Sequence, residues 1–158
     1  MQRKLVLLVA TVLTIAWSQV RAGDPVQDDL GKLKGTWVAI KAIYDGEEID
    51  PKKIEGKITL VFNVQKVTFY AGKVARESTF KIDPTKKPKS IDLTTAKLDP
   101  EGNKLTLPGI YQIDGDTLKF AQSSQAFTKG VVLKRPTDFD SKTGVSVLIL
   151  RREKEKAK

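Results

Sequence analysis

The 158-residue chain contains no cysteine and no histidine. Without cysteine no disulfide can staple the fold, so stability has to come from burial and backbone pairing. Without histidine the chain lacks the commonest general base and the commonest metal ligand. Together these absences exclude Ser-His-Asp and Cys-His catalysis and ordinary zinc sites. We therefore expect a protein that is not an enzyme, with no metal site and no cofactor.

The chain also lacks an apolar run long enough to span a membrane. Its apolar run Leu5–Trp17 covers 13 residues, whereas a spanning helix needs roughly 20. Arg3 and Lys4 precede this run, and small or modest apolar residues lead up to Ala22. This three-part pattern is typical of a secretory signal peptide. We predict cleavage after Ala22, export to the periplasm or the extracellular space, and no membrane attachment after cleavage.

Positive charge exceeds negative charge, and part of the excess is local. The net charge is +9, and removing residues 1–22, which hold three basic residues and no acidic one, lowers it to +6. Much of the remainder lies in Lys86-Lys87-Pro88-Lys89 and in the tail from Arg151. Glu153 and Glu155 interrupt the tail, and the aromatic residues are not interleaved with the lysines, so no nucleic-acid partner is predicted. An acidic polymer stays open as a partner.

From Gly35 onward, short apolar or alternating segments separated by Gly, Pro, Asn and Asp predict β-strands. The predicted strands cover residues 36–44, 57–63, 67–70, 76–82, 90–94, 105–107, 109–113, 117–121, 131–134 and 145–152. Such strands indicate a sandwich or an up-and-down barrel, and consecutive hairpin turns favour the meander. The predicted organisation is a signal peptide (1–22), a linker with a short helical turn (23–34), a β domain (35–153) and a basic tail (154–158).

Four local features sharpen this prediction. Asp28 is expected to cap a single helical turn before the first strand. Residues 47–56 are predicted to form a loop, and Pro108 a bulge or break, because proline cannot donate within a ladder.

Asp114-Gly115-Asp116 carries two close carboxylates, which calcium sites and acid–base pairs also use. Asp-Gly between apolar strands is nevertheless the usual hairpin signal, so a turn is predicted there.

A longer pattern of motifs resembles a known family. It consists of Leu33-Lys34-Gly35-Thr36-Trp37, Asp45-Gly46, Phe80-Lys81-Ile82-Asp83-Pro84, Lys87-Pro88-Lys89-Ser90-Ile91-Asp92-Leu93, the stretch 109–119, Arg135-Pro136-Thr137-Asp138-Phe139 and a Leu-rich last strand ending in Arg. Over roughly residues 30–153 the chain resembles an uncharacterised secreted domain family, abundant in planctomycete bacteria, that is lipocalin-like. The resemblance implies an all-β, up-and-down antiparallel barrel of about eight strands with a short N-terminal helical turn, and it implies no activity. Residues 122–130 depart from the family pattern.

The resemblance also suggests how the barrel closes. In such barrels the tryptophan of the Gly-x-Trp motif closes one end, and a basic residue of the last strand stacks over its ring. Here that tryptophan is Trp37, and Arg151 or Arg152 is expected to supply the cation–π contact.

Two further sets of residues are candidate binding sites. Aromatic residues on the strand segments would line a ligand cavity or fill the interior: Trp37, Phe62, Phe80, Tyr111 and Phe120. Arg135, Thr137 and Asp138 form either a rim motif for an anionic ligand or a rigid turn held by a salt bridge. The leading hypothesis is an exported, non-enzymatic binding module for a small apolar or amphiphilic ligand. The alternative is a cell-envelope interaction domain that contacts a protein or an acidic polymer through its loops and basic surface.

Overall fold

The computed structural model describes residues 23–51, 53, 57–98, 104–124, 132–140 and 144–154. Residues 1–22, the predicted signal peptide, and most of the predicted tail lie outside the described residues. The elements are α1 (Pro25–Leu33), β1 (Gly35–Tyr44), β2 (Glu47–Ile49), β3 (Thr59–Phe62), β4 (Lys66–Ala71), β5 (Val74–Asp83), β6 (Lys89–Leu98), β7 (Lys104–Asp114), β8 (Thr117–Ser123) and β9 (Val145–Arg152). None of the helical segments described meets the length and hydropathy of a membrane span.

The strands follow one another around an antiparallel sheet that closes on itself. From β3 to β9 each strand pairs with the next, β1 pairs with β3, and β9 returns to pair with β1. Eight strands therefore form a closed barrel, and β2 is an extra strand beside the second half of β1. The predicted all-β, lipocalin-like, up-and-down barrel is confirmed.

Alternation along each strand sets the inner and outer faces of the barrel. On β5, Ser78 and Phe80 are buried whereas Thr79 and Lys81 are exposed. The inward residues of all the barrel strands contribute to one apolar cluster, and Leu33 of α1 joins it. A second, smaller cluster lies on the outer face and is built on Ile110, Ala121 and Val147.

The N-terminal helix is longer than the single turn predicted, and Asp28 is not its cap. The helix spans nine residues, Pro25–Leu33, and Asp24 caps it by accepting a hydrogen bond from the N–H of Val26 at 2.9 Å. Pro25 suits the first helical position, because its missing N–H would be unpaired there anyway. Tertiary burial of Leu33 offsets the weak helix propensity of Gly31.

Three strand predictions are also wrong. Glu47–Ile49 is a strand, because an Asp45-Gly46 turn with positive φ at both residues folds it back on β1. Pro108 lies within a continuous β7 and pairs with Asp92, while the irregularity in this ladder falls elsewhere, between Thr94 and Leu98. Pairing of β7 with β8 begins only at the next residue, so Pro108 has one neighbouring strand and can lack a donor. Residues 132–134, part of a predicted strand, are not in a strand.

Candidate functional site

The five aromatic residues predicted to line a ligand cavity are packed together inside the barrel. Trp37, Phe62, Phe80, Tyr111 and Phe120 are 0–8% exposed and belong to the same apolar cluster. The rings of Phe62 and Phe80 meet edge to face with centroids 5.3 Å apart, a favoured aromatic geometry. These side chains therefore occupy interior space that a ligand would need.

One polar atom in the described interior has no hydrogen-bond partner. It is Oε1 of Gln122 on β8, which is buried, and alternation places Gln122 on the same face of β8 as Phe120. A buried acceptor of this kind is satisfied by a single ordered water where space allows.

We call the end of the barrel where α1 meets β1 and β9 the floor, and Trp37 and Arg152 close it. The guanidinium of Arg152 lies 4.1 Å from the centre of the Trp37 ring, within cation–π range. Arg152 also donates to the carbonyl oxygens of Lys32 and Lys34 at the end of α1. Of the two basic residues considered from the sequence, Arg152 makes the contact, whereas Arg151 is exposed.

A buried polar cluster also fastens α1 to the floor. The carboxylate of Asp29, which is 3% exposed, accepts hydrogen bonds from the Tyr111 hydroxyl at 2.8 Å and from Lys89 Nζ at 2.6 Å. Burial raises the pKa of the Tyr111 hydroxyl well above its ordinary value, and the adjacent Asp29 carboxylate raises it further. Tyr111 therefore remains a neutral donor to Asp29, and the floor has no free acid–base group among these three.

Residues 132–140, which we call the strap, lie against the barrel, with Leu133 packed against the main apolar cluster and Phe139 against the outer one. Arg135 Nη1 donates to the carbonyl of Gly109 at 2.6 Å and to that of Ile91 at 3.3 Å, while Nη2 pairs with Asp92 at 2.7 Å. Pro136 is buried. The motif considered for a barrel rim therefore meets the middle of β6 and β7.

The other two residues of that motif make local contacts. Asp138 accepts hydrogen bonds from the N–H of Asp140 at 2.9 Å and from the Thr137 hydroxyl at 3.4 Å, which forms a turn held by its own side chains. Arg135 is bound to Asp92 at the same time. The motif therefore has the geometry of a rigid turn held by a salt bridge, which is one of the two interpretations of its sequence.

The carboxylate of Asp45 binds both ends of the β8–β9 connection. Oδ1 of Asp45 accepts from the Ser124 hydroxyl at 2.6 Å and from the N–H of Gly144 at 2.7 Å. The N–H of Ser124 also donates to the carbonyl of Gly144 at 2.9 Å. The connection thus starts and ends at one fixed point beside the β1–β2 turn.

Two open grooves lie on the outer wall, one on each side of the Arg135–Asp92 pair. The first, which we call the wall groove, has a volume of about 530 Å³ and is lined by Gln65, Thr79, Phe80, Lys81, Asp92, Thr94 and Thr106. The second, the strap groove, has a volume of about 440 Å³ and includes Ser123, Lys134, Arg135, Thr137, Asp138 and Asp140 in its lining. Because Asp92 belongs to one lining and Arg135 to the other, the ion pair stands between the two grooves.

The acidic groups near the wall groove are paired within the protein. Asp92 pairs with Arg135, and it faces Lys81 as its register partner on β5. At the end of β5 the pKa of Asp83 lies below its ordinary value, because the hydroxyl and N–H of Thr85 donate to its carboxylate. Asp92 is thus neutralised by Arg135, and Lys81 is left without an ion pair among the described residues.

The sequence did not single out Asp29 or the threonines of the wall groove, and it gave Asp45 only as part of the Asp45-Gly46 motif. Each acts through partners distant in the chain: Asp29 meets Tyr111 across 82 residues, and Asp45 meets Gly144 across 99. For the threonines the sequence does indicate an outward position, because Thr79 and Thr94 alternate with apolar residues along their strands.

Among the described residues, no group of three or more acidic residues is arranged to hold a metal ion. Asp114–Thr117 forms the hairpin turn between β7 and β8, as predicted, with Gly115 at positive φ.

Comparisons with family models, curated proteins and solved structures find no match to the chain. The resemblance to the planctomycete domain family thus stays a prediction from the sequence motifs.

Proposed function

We propose that this protein is a non-enzymatic interaction module of the cell envelope that holds its partner on the outer wall of the barrel. The observation that supports this proposal is the filled interior. The aromatic side chains that a carrier would use to line a cavity are themselves the core. The wall, in contrast, offers two adjoining polar grooves.

The packed interior favours this function over transport of a small apolar ligand. A carrier needs a cavity that buries most of its ligand, with apolar walls and a few polar groups. Both grooves described here are open, and most of the residues that line them are polar. Native mass spectrometry of protein purified from its own host tests the carrier function directly, and a stoichiometric small-molecule adduct would count against the outer-wall proposal.

Photo-cross-linking in the host tests the outer wall as the binding surface. A photoreactive amino acid replaces Lys81 in the wall groove or Thr137 in the strap groove, and Lys119, exposed on the outer face of β8, serves as the matched control. We expect a cross-linked product from the two groove positions and little from position 119. Equal cross-linking at all three positions, or none at the groove positions, would contradict the proposal.

Export is part of the same proposal and has its own test. The basic residues, apolar run and Ala22 of the N-terminal segment support cleavage of residues 1–22. We expect protein recovered from the periplasm or the medium to begin at Gly23, as measured by intact mass. Recovery of the full-length chain from the cytoplasm alone would contradict it.

A further inference from the structure

A glycine just before α1 has its empty side-chain position directed at a carboxylate. A β-carbon at Gly23 would lie 3.4 Å from Oδ1 and 3.5 Å from Oδ2 of Asp28. Asp28 lies in the first turn of α1 and is exposed, and its carboxylate has no hydrogen-bond or ion-pair partner among the described residues. An unpaired negative charge therefore lies within contact distance of the space beside the Gly23 α-carbon.

Cleavage after Ala22 would create a cation beside this carboxylate. The α-amino group of a chain that begins at Gly23 is mostly protonated at neutral pH. Because no residue precedes it and glycine has no side chain, rotation about its Cα–C bond moves the nitrogen into the position of a β-carbon. The N–Cα bond is about 1.46 Å, close to a Cα–Cβ bond, so the ammonium comes within ion-pair range of the Asp28 carboxylate. In the uncleaved chain the same nitrogen belongs to a neutral amide.

The described attachments of α1 to the barrel lie in its second half. They include the carboxylate of Asp29, which Tyr111 binds, and the carbonyl of Leu33, which accepts from Trp37 Nε1 at 2.7 Å. In the first turn the described hydrogen bonds are internal to the helix and its cap, as in the bond from the N–H of Asp28 to the carbonyl of the capping residue at 3.0 Å. An ion pair between residues 23 and 28 would add to the part of α1 that the barrel holds least.

We propose that removal of residues 1–22 completes α1 by forming an ion pair between the new α-ammonium of Gly23 and the carboxylate of Asp28. The exported protein then holds the first turn of α1 more firmly than its precursor does. This inference rests on the export that is part of the proposed function. The partial positive charge at a helix N-terminus repels an ammonium, and the carboxylates of Asp24 and Asp28 offset that repulsion.

NMR titration of the new amino group tests the ion pair directly. A fusion protein is cut so that the chain begins at Gly23, and it is labelled with glycine enriched in ¹³C at the α-carbon, whose signal at the first residue follows the charge of its own amino group. The test variant is Asp28→Asn, which keeps the size of the side chain and removes its charge. The matched control is Glu47→Gln, an exposed residue of β2 that pairs with Tyr44, at the end of β1 far from α1.

We expect the titration midpoint of the Gly23 amino group to fall by at least about 0.5 pH unit in Asp28→Asn, because a neighbouring carboxylate favours the charged form. In about 0.15 M salt, which screens distant charges, Glu47→Gln should leave the midpoint unchanged. An unchanged midpoint in Asp28→Asn would overturn the proposal. So would an equal fall in both variants, since that result reports net charge alone.

A double-mutant cycle measures what the ion pair does for stability. The chain that begins at Gly23 is compared with the same chain acetylated at its N-terminus, which restores the neutral amide of the precursor, each with and without Asp28→Asn. At pH 6.5 we expect Asp28→Asn to raise the unfolding equilibrium constant about threefold more in the free chain than in the acetylated one, the factor that corresponds to 0.5 pH unit. Because the ion pair favours the protonated amino group in the folded state, this difference should disappear by about pH 10. Equal effects at pH 6.5 would contradict the proposal.

The outcomes separate this inference from the function on which it rests. If protein from the host begins at Gly23 and Asp28→Asn leaves the midpoint unchanged, export stands and the ion pair fails. If host protein begins at another residue, the predicted cleavage fails and this inference fails with it. Photo-cross-linking at positions 81 and 137 depends on neither result, so it tests the outer-wall function separately.

Discussion

Two arginines hold two different parts of this molecule with nearly the same set of bonds. Arg152 at the floor donates to two backbone carbonyls and lies 3.5 Å from Asp116, and Arg135 in the strap donates to two backbone carbonyls and to Asp92. Arg152 extends from a paired strand and covers the buried Trp37 ring. Arg135 extends from a segment without strand pairing. The same guanidinium chemistry thus completes the core at one site and fastens a surface segment at the other.

Replacing Arg152 should lower the free energy of unfolding more than replacing Tyr111 or Arg135. Arg152→Ala removes the cation–π contact and leaves the last carbonyls of α1 without this donor, so we expect the free energy of unfolding to fall by about 2–4 kcal/mol. Urea denaturation followed by circular dichroism measures the change. Arg151→Ala, one residue earlier on the exposed face, is the control and should change stability by less than about 0.5 kcal/mol. Equal losses for the two variants would contradict the assigned role of Arg152.

Tyr111→Phe tests the second attachment of the floor. At pH 8 the variant loses one hydrogen bond to a carboxylate, and we expect it to be about 1–2 kcal/mol less stable than the parent. Because folding raises the pKa of Tyr111, the unfolded chain releases this proton near pH 10 while the folded protein keeps it. This contribution to stability is complete below pH 10 and falls by up to about 1.4 kcal/mol per pH unit above it.

The difference between Tyr111→Phe and the parent should therefore shrink between pH 9 and pH 11. A difference that stays constant across this pH range would show that folding leaves the Tyr111 pKa unchanged.

Arg135→Ala should give the smallest effect on global stability and the clearest local one. We expect a loss of about 1 kcal/mol or less in unfolding free energy, because the pair is partly exposed and the strap is not part of the barrel. Hydrogen exchange of backbone amides in 132–140 should accelerate while exchange at the floor is unchanged. Arg135→Lys keeps the charge without the planar fork and should protect the strap only partly. Accelerated exchange throughout the barrel would contradict the prediction that Arg135 stabilises the strap alone.

The sequence predicts the barrel because its strands depend on local patterns, and it predicts the closure because the chain resembles lipocalin-like barrels. Alternation and turn residues identify most strands, and the resemblance implies closure by Trp37 with either Arg151 or Arg152. It does not distinguish Arg151 from Arg152, because which of two adjacent strand residues faces the floor depends on the register with β1.

The missed features depend on contacts that no local pattern encodes. Pro108 breaks no strand because β8 ends beside it, and only the three-dimensional pairing shows this. Glu47–Ile49 has three exposed residues and no apolar alternation, so its strand forms through pairing with β1 alone. The wall groove likewise requires the alignment of threonines from three strands, whose registers the sequence leaves open.

The pairing of β1 with β9 also has a consequence for how the chain folds. From β4 to β9 each strand pairs with its predecessor, and these contacts are local in sequence and form readily. The contact of Trp37 with Arg152, in contrast, joins the two ends of the domain. β9 follows the other barrel strands in the chain, so a chain that holds only β1 to β8 can form its hairpins and still has an open sheet with an uncovered tryptophan. Closure of the core therefore depends on β9, and a chain that stops after β8 cannot complete it.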